Sequence, residues 1–380
     1  MRFVQTKDLV PGMRLAKPIY NKKGVMLYER DSKLTGQGIT SIENFGLIGI
    51  YILEPAEPLP PFTDEDREFE KFQTVGVFKL KEILDNIRMG KNPTTLESLV
   101  AEIMQKFGNR QERMNFIQNL RSFEDNVYKH SLNVAILSAL ITGKMTMTRS
   151  EQKSIVTAAL LHDIGSLDVP MSIFSKSNEE MTDVDIDTII RFRDNGYRII
   201  RDHCDFDSDI MRNISYLLRD LKELDQDKRE SDSRPKDMCV EVLKVAYVYD
   251  IRTAMKYGSE PESDIAAYKY LHHPKNRMNQ QVVKALTYAI NIVPSGCSVQ
   301  FENGTKGIVV AENPNDILRP FILSFSDNRI YNLGEGKVFE QYQIKDVMKT
   351  LDNRYIMTDK YDSFVDQMNS GELKVLKVGK

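Results

Sequence analysis

The chain has 380 residues, 41% hydrophobic and 28% charged, with a net charge of −3 from 52 basic and 55 acidic residues. This length favours two or three domains, and the balanced charge gives no reason to expect DNA or an anionic membrane as a partner. Three widely spaced cysteines show neither a disulfide nor a zinc-knuckle pattern. Because no apolar run approaches the roughly 20 residues of a membrane span, we expect a cytoplasmic protein without membrane insertion.

Residues 1–55 are predicted to form a small β-rich module. Pro11 and Gly12 occupy the central positions that a type II turn prefers. Polar residues 21–24 separate two strand-like segments, which indicates a hairpin. A short helix with Ile39 and Ile42 on one face precedes a strand at 47–53. No catalytic constellation is recognised in this module.

Residues 56–107 are interpreted as a linker followed by helices. The linker is rich in proline, and amphipathic patterns predict helices at 64–89 and 94–107. These helices can pack on their own domain or pair two copies of the chain, so a homodimer is left open.

Residues 108–292 are predicted to be almost entirely helical. Thr182 and Asp185 have the spacing of a capping box at the start of a helix through about residue 203. Pro261, after Ser259, is assigned to the first turn of another helix. Asn279 is expected to cap a last helix that extends to residue 292.

Residues 293–345 change to strand-like alternation and turn chemistry. Segments 298–301 and 306–311 flank Asn303-Gly304, which favours a type I′ hairpin turn. A second hairpin is predicted over 322–333, giving a small β-barrel-like module of four or five strands. Residues 346–380 are expected to be a polar tail with a short helix near residues 361–368.

The chemistry-bearing pattern is a histidine followed at a distance by an adjacent His-Asp pair. His130 shares a predicted helical face with Val127 and Val134. His162 and Asp163 end an apolar helical run. Two imidazoles and a carboxylate suit one divalent metal such as Fe, Mn or Zn. The same cluster can instead form a buried hydrogen-bond network without a metal.

The Leu-Leu-His-Asp-Ile-Gly sequence around His162 and Asp163, together with His130, resembles the HD phosphohydrolase superfamily. More narrowly, it is similar to the HD-GYP branch, the metal-dependent cyclic-di-GMP phosphodiesterases, over residues 1 to about 335. The resemblance implies a mainly α protein, an all-helical HD-type domain flanked by the two small β-rich modules. It also implies a bacterial cyclic-di-GMP signalling setting, with these three residues as metal ligands.

The resemblance also implies functional positions that this sequence fills differently. The lysine that follows the family's His-Asp-Ile-Gly is Ser166, and the Gly-Tyr-Pro signature is replaced by a charged loop at 226–236. The family's Asp250 is kept and is expected to be structural. Lys256 stands where the family has a phosphate-contacting arginine and is the candidate ligand-binding residue. The family's other metal ligands fall on side chains that do not suit metal binding: Phe192, Leu217, Leu218 and Tyr247.

These departures favour a degenerate HD-GYP-like domain that acts as a non-catalytic regulator or binding module. Its partner is then a protein or a cyclic dinucleotide, and no catalytic residue is assigned. The alternative is a metal-dependent HD phosphohydrolase with a reduced site, acting on a cyclic dinucleotide or another phosphoester. A third hypothesis is a scaffold that dimerises through the helices of 64–107.

Overall fold

The computed structural model of the protein describes residues 2–21, 25–53, 63–177, 179–226, 237–257, 259–313 and 315–347. The predicted proline-rich linker, the charged loop from residue 227 and the helix near 361–368 lie outside these residues. In the described part, no helix combines the length and the apolarity that crossing a bilayer requires. As predicted, the fold is mainly α, with a helical domain between small N-terminal sheets and a C-terminal sheet.

The N-terminal module contains five short strands and one helix. They are β1 (Arg2–Gln5), β2 (Arg14–Leu15), β3 (Ile19–Tyr20), β4 (Met26–Tyr28), α1 (Gly36–Asn44) and β5 (Gly49–Leu53). An antiparallel sheet has the order β1-β5-β2, and β3 pairs with β4 as the predicted hairpin. Gly12 has the positive φ of 93° that the predicted turn requires. Leu15, Ile42 and Ile50 belong to a core that is separate from that of the helical domain.

The helical domain is built around α4, which is buried on nearly every side because its apolar residues are spread around the helix and not confined to one face. Its buried polar residues include His130 and Asn133. Helix α4 packs against α2, α5, α9 and α11, and α7 packs against α2 and α8. The helices are α2 (Asp64–Arg88), α3 (Leu96–Phe107), α4 (Asn126–Thr142), α5 (Arg149–Leu161), α6 (Met171–Phe174), α7 (Asp183–His203), α8 (Ser208–Asp225), α9 (Met238–Thr253), α10 (Asp264–His272) and α11 (Gln280–Ala289).

Local signals located some helix ends correctly and others wrongly. The capping box of Thr182 and Asp185 forms, and Asn279 caps α11. The assignment of Pro261 to a first turn is wrong: α10 begins at Asp264, because the Ser263 side chain accepts from the Ala266 amide. Helix α11 ends at Ala289, before the predicted residue 292, because the next residue is extended and bridges to the segment before α4.

The C-terminal sheet is open and not a closed barrel. Its order is β10-β6-β7-β8-β9, formed by β6 (Ser298–Phe301), β7 (Lys306–Ala311), β8 (Phe321–Ser324), β9 (Ile330–Asn332) and β10 (Ile344–Val347), with α12 (Gly336–Gln341) before the last strand. Strand β10 thus extends two residues into the expected polar tail. The buried face of the sheet continues the core of the helical domain.

Both predicted C-terminal hairpins form, but the type I′ turn does not. Gly304 has a positive φ of 81°, whereas Asn303 does not, and a type I′ turn needs both. The Asn303 side chain instead accepts from the Thr305 amide at 2.9 Å. A four-residue loop therefore joins β6 and β7.

Candidate metal centre

The fold brings the three predicted ligand residues together. His130 lies on α4, His162 directly follows α5, and Asp163 is next in the chain. Their potential ligand atoms all lie within 4.8 Å of one another. The residues are 4%, 1% and 6% exposed, respectively. Their role as ligands stays a prediction, but their juxtaposition is a property of the fold.

Both imidazoles are oriented through Nδ1, which leaves Nε2 pointing into the cluster without a partner. His162 Nδ1 lies 2.8 Å from the carbonyl oxygen of Ala159 and must donate, because a carbonyl only accepts. His130 Nδ1 lies 2.7 Å from Asp250 Oδ2 and donates to that carboxylate. Neither Nε2 atom has a hydrogen-bond partner among the described residues.

The two buried Nε2 atoms, each with an unpaired lone pair, favour the presence of a metal. Buried polar atoms nearly always have partners, so exceptions need an explanation. Metal-binding histidines usually donate their second ring nitrogen to a carboxylate or a backbone carbonyl, as His130 and His162 do here. Their donor set together with Asp163 therefore fits one divalent ion.

Asp250 is the hub that orients His130. It is fully buried, and Arg121 donates to both of its carboxylate oxygens at 2.8 and 2.7 Å. Gln118 and Asn133 donate to Oδ1 at 3.0 and 2.9 Å. Burial alone would raise the pKa of Asp250, but Arg121 and His130 hold it below the ordinary value. The expected structural role of Asp250 agrees with these contacts, and these five residues are called the Asp250 side.

The Asp250 side is joined to the N-terminal module through the backbone of the segment before α4. The Ile48 amide donates to the Arg121 carbonyl at 2.8 Å. The Lys17 ammonium donates to the Gln118 carbonyl at 2.9 Å. Arg121 and Gln118, which contact Asp250 through their side chains, are therefore also bound to the N-terminal module through their main-chain carbonyls.

Around Asp163 the partners are different. The Ser166 hydroxyl donates to Asp163, and Arg193 Nε lies 3.6 Å from Asp163 Oδ1. Arg193 also contacts Asp225 at 2.6 Å and donates to the Tyr247 hydroxyl at 2.8 Å. His162, Asp163, Arg193, Asp225 and Tyr247 are called the Asp163 side.

Two glycines place Arg193 there. An added Cβ on Gly165 would lie 2.0 Å from the Phe192 carbonyl oxygen, and one on Gly196 would lie 2.4 Å from the Gly165 nitrogen. Helix α7 thus approaches the 3₁₀ turn Ile164–Asp168 at backbone distance. Any larger residue would move α7, and with it Arg193, away from Asp163.

Tyr247 covers both histidines. Its ring centroid lies 4.8 Å from that of His130 and 5.7 Å from that of His162. Burial raises the pKa of its phenol above the ordinary value, which keeps it neutral. A neutral phenol is a poor metal ligand. Leu217 and Leu218 are buried in the apolar core.

Lys256 lies beyond the C-terminal end of α9. Burial, followed by Arg252, lowers the pKa of its ammonium. Within the described part of the chain, this ammonium has neither a hydrogen bond nor an ion pair. Its predicted contact with a phosphate stays a prediction.

Residues 127–255 match the family model described as the HD domain. The chain therefore contains an HD domain, and the resemblance drawn from His130 and the His162-Asp163 pair is confirmed. Over 251 residues it is 24% identical to the cyclic di-GMP phosphodiesterase PA4108 of Pseudomonas aeruginosa, covering 64% of this chain. The chain spans 58% of the length of that relative.

A solved structure is also similar to this chain, the "HDG"Y"P" protein Bd1817 of Bdellovibrio bacteriovorus. The TM-score is 0.45 at 15% identity, covering 75% of this chain and 97% of the other.

Proposed function

We propose that this protein is a non-catalytic regulator with a degenerate HD domain, in signalling by a cyclic dinucleotide. His130, His162 and Asp163 hold one divalent ion that stabilises the domain. The carrying observation is the pair of buried Nε2 atoms without partners beside Asp163. The cyclic dinucleotide is inferred from the relative, whose name states that it is a cyclic di-GMP phosphodiesterase.

The donor count supports one ion. Three protein donors with an open fourth position hold one ion in catalytic zinc sites, so the three donors here suffice for one ion. Two-metal phosphoryl chemistry needs donors for a second cation. Among the described residues, Tyr247 and Arg193 contact the cluster as a neutral phenol and a cation, and neither supplies such a donor.

The burial of the cluster supports a structural role. The three candidate ligands are at most 6% exposed, and the Tyr247 ring contacts both imidazoles. A bound ion would supply Lewis acidity, but such low exposure leaves little of the cluster accessible to a molecule as large as a cyclic dinucleotide.

The second candidate function is a metal-dependent phosphohydrolase whose metal site has fewer ligands. The observation in its favour is that both imidazoles already have the tautomer and orientation of metal ligands. In that case Lys256 steadies a phosphate of the substrate. The dimeric scaffold has less support, because α2 and α3 pack on α4 and α5 of their own chain.

The test combines metal analysis of the purified protein with cyclic-di-GMP binding and hydrolysis. We expect about one Fe, Mn or Zn per chain, loss of that metal in His162→Ala, measurable dinucleotide binding and no turnover. Hydrolysis that is abolished both by a chelator and by His162→Ala would instead establish the phosphohydrolase.

A further inference from the structure

We propose that Arg193 is the resident counter-cation of Asp163 and that it sets how tightly the His130–His162–Asp163 cluster binds a divalent ion. Its guanidinium nitrogen Nε faces the Asp163 carboxylate, with 3.6 Å between Nε and Oδ1. This inference deepens the proposed function, because it rests on the same cluster.

Arg193 is held in place from two directions. Asp225 on α8 pairs with one guanidinium nitrogen at 2.6 Å, and the Tyr247 hydroxyl on α9 accepts from the other at 2.8 Å. The remaining nitrogen, Nε, has no hydrogen-bond partner among the described residues and faces Asp163 Oδ1 at 3.6 Å. The guanidinium is therefore aimed at Asp163 but makes no direct hydrogen bond to it.

The charges around the cluster explain why the position of the Arg193 guanidinium affects metal binding. Both imidazoles offer neutral lone pairs, and the charge of Asp250 is already paired with Arg121. Asp163 is thus the donor whose negative charge is available to an ion, and Arg193 compensates it. At a few ångströms in a buried site, one positive charge weakens the binding of a divalent ion substantially.

The charge of Arg193 is permanent. An arginine guanidinium stays protonated in proteins. The side chain is 13% exposed, so salt in the solvent screens it little. Arg193 thus places a constant positive charge beside Asp163 that opposes the binding of a divalent ion to the cluster.

A purely structural role for Arg193 makes a different prediction. If Arg193 only ties α7 to α8 and α9, its removal loosens the site and leaves metal affinity unchanged or weaker. If it is a counter-cation, its removal exposes the charge of Asp163 and metal affinity increases.

The experiment titrates metal-free protein with Zn²⁺ and with Mn²⁺ and measures the dissociation constant, the stoichiometry and the thermal midpoint. We expect Arg193→Met to bind about tenfold or more tightly than the wild type. Arg193→Lys, which keeps the charge, should stay near the wild type. Arg198→Met is the matched control, because Arg198 is an exposed arginine on the same helix.

Unchanged or weaker binding by a folded Arg193→Met variant would overturn the inference while leaving the metal site in place. If Arg193→Met binds the metal ion and the wild type does not, the inference is supported. The proposed function then loses its bound ion, because the natural protein does not hold one. If neither protein binds metal, both fail. Should Arg193→Met not fold, Asp225→Asn serves instead: it leaves the guanidinium less compensated and should weaken binding, and unchanged or tighter binding would overturn the inference.

Discussion

The two carboxylates of the centre differ in how completely they are paired. Both oxygens of Asp250 accept from at least two donors, and the residue is fully buried. Asp163 accepts from the Ser166 hydroxyl, and Arg193 Nε lies 3.6 Å from its Oδ1. On each side, one imidazole Nε2 and one arginine Nε have no hydrogen-bond partner among the described residues. A carboxylate with many donors stabilises the fold, whereas one with few donors keeps negative charge that can bind a ligand.

This contrast indicates that the residues around Asp250 mainly stabilise the fold, whereas the residues around Asp163 mainly set how the centre binds a ligand. Asp250 joins α9 to α4 through His130 and to the segment before α4 through Arg121. The Asp163 side includes Tyr247, whose hydroxyl accepts from Arg193. Changes on the first side should therefore affect folding, and changes on the second should affect binding.

The largest expected effect is that of Asp250→Ala, which leaves Arg121 buried without its counter-ion. We expect the free energy of unfolding to fall by about 3–5 kcal/mol, measured by urea denaturation. The matched control on the other side is Asp225→Ala. Because Asp225 is 33% exposed, its loss should change stability by about 1 kcal/mol or less. Similar decreases in the free energy of unfolding for both variants would contradict the difference between the Asp250 side and the Asp163 side.

Removal of the metal should have the next largest effect. With metal at about one hundred times its dissociation constant, a chelator should lower the free energy of unfolding by about 3 kcal/mol. Differential scanning calorimetry with and without EDTA measures this change. His162→Ala should show no response to the chelator, and an equal response in this variant would place the metal elsewhere.

Gly196→Ala tests whether the close approach of α7 positions the Asp163 side. A Cβ at this position would meet the Gly165 backbone, so we expect a loss of about 1–3 kcal/mol from overpacking, measured by urea denaturation. Gly36→Ala is the control, because a Cβ there meets nothing within 4 Å. If Gly196→Ala is as stable as that control, the helix is not held by backbone contact.

The smallest effect is expected for Lys17→Met, which removes the hydrogen bond from the N-terminal module to the Gln118 carbonyl. Stability should fall by about 1 kcal/mol, and metal affinity should weaken only a few-fold, because the Gln118 side chain keeps its contact with Asp250. Denaturation and metal titration measure the two changes. The exposed Lys7 supplies the control Lys7→Met; a matching loss there would show that the contact contributes nothing.

Local sequence patterns determined the helical core, the hairpins and the His130–His162–Asp163 set. Apolar periodicity is a property of a few consecutive turns, and capping by Thr182 or Asn279 involves residues two or three positions away. Where two local signals competed, the prediction failed: Ser263, not Pro261, marks the start of α10. At the first C-terminal hairpin, side-chain hydrogen bonding by Asn303 replaced the expected turn geometry.

Only the tertiary structure decided which partners complete the centre. Arg121 and His130 meet Asp250 across 129 and 120 residues of sequence, and Arg193 meets Tyr247 across 54. A sequence pattern reports the face of a helix on which a residue lies, but not which distant side chain packs against that face. The charge balance at Asp163 depends on how closely α7 approaches the 3₁₀ turn, and the backbone contact between Gly165 and Gly196 sets that distance.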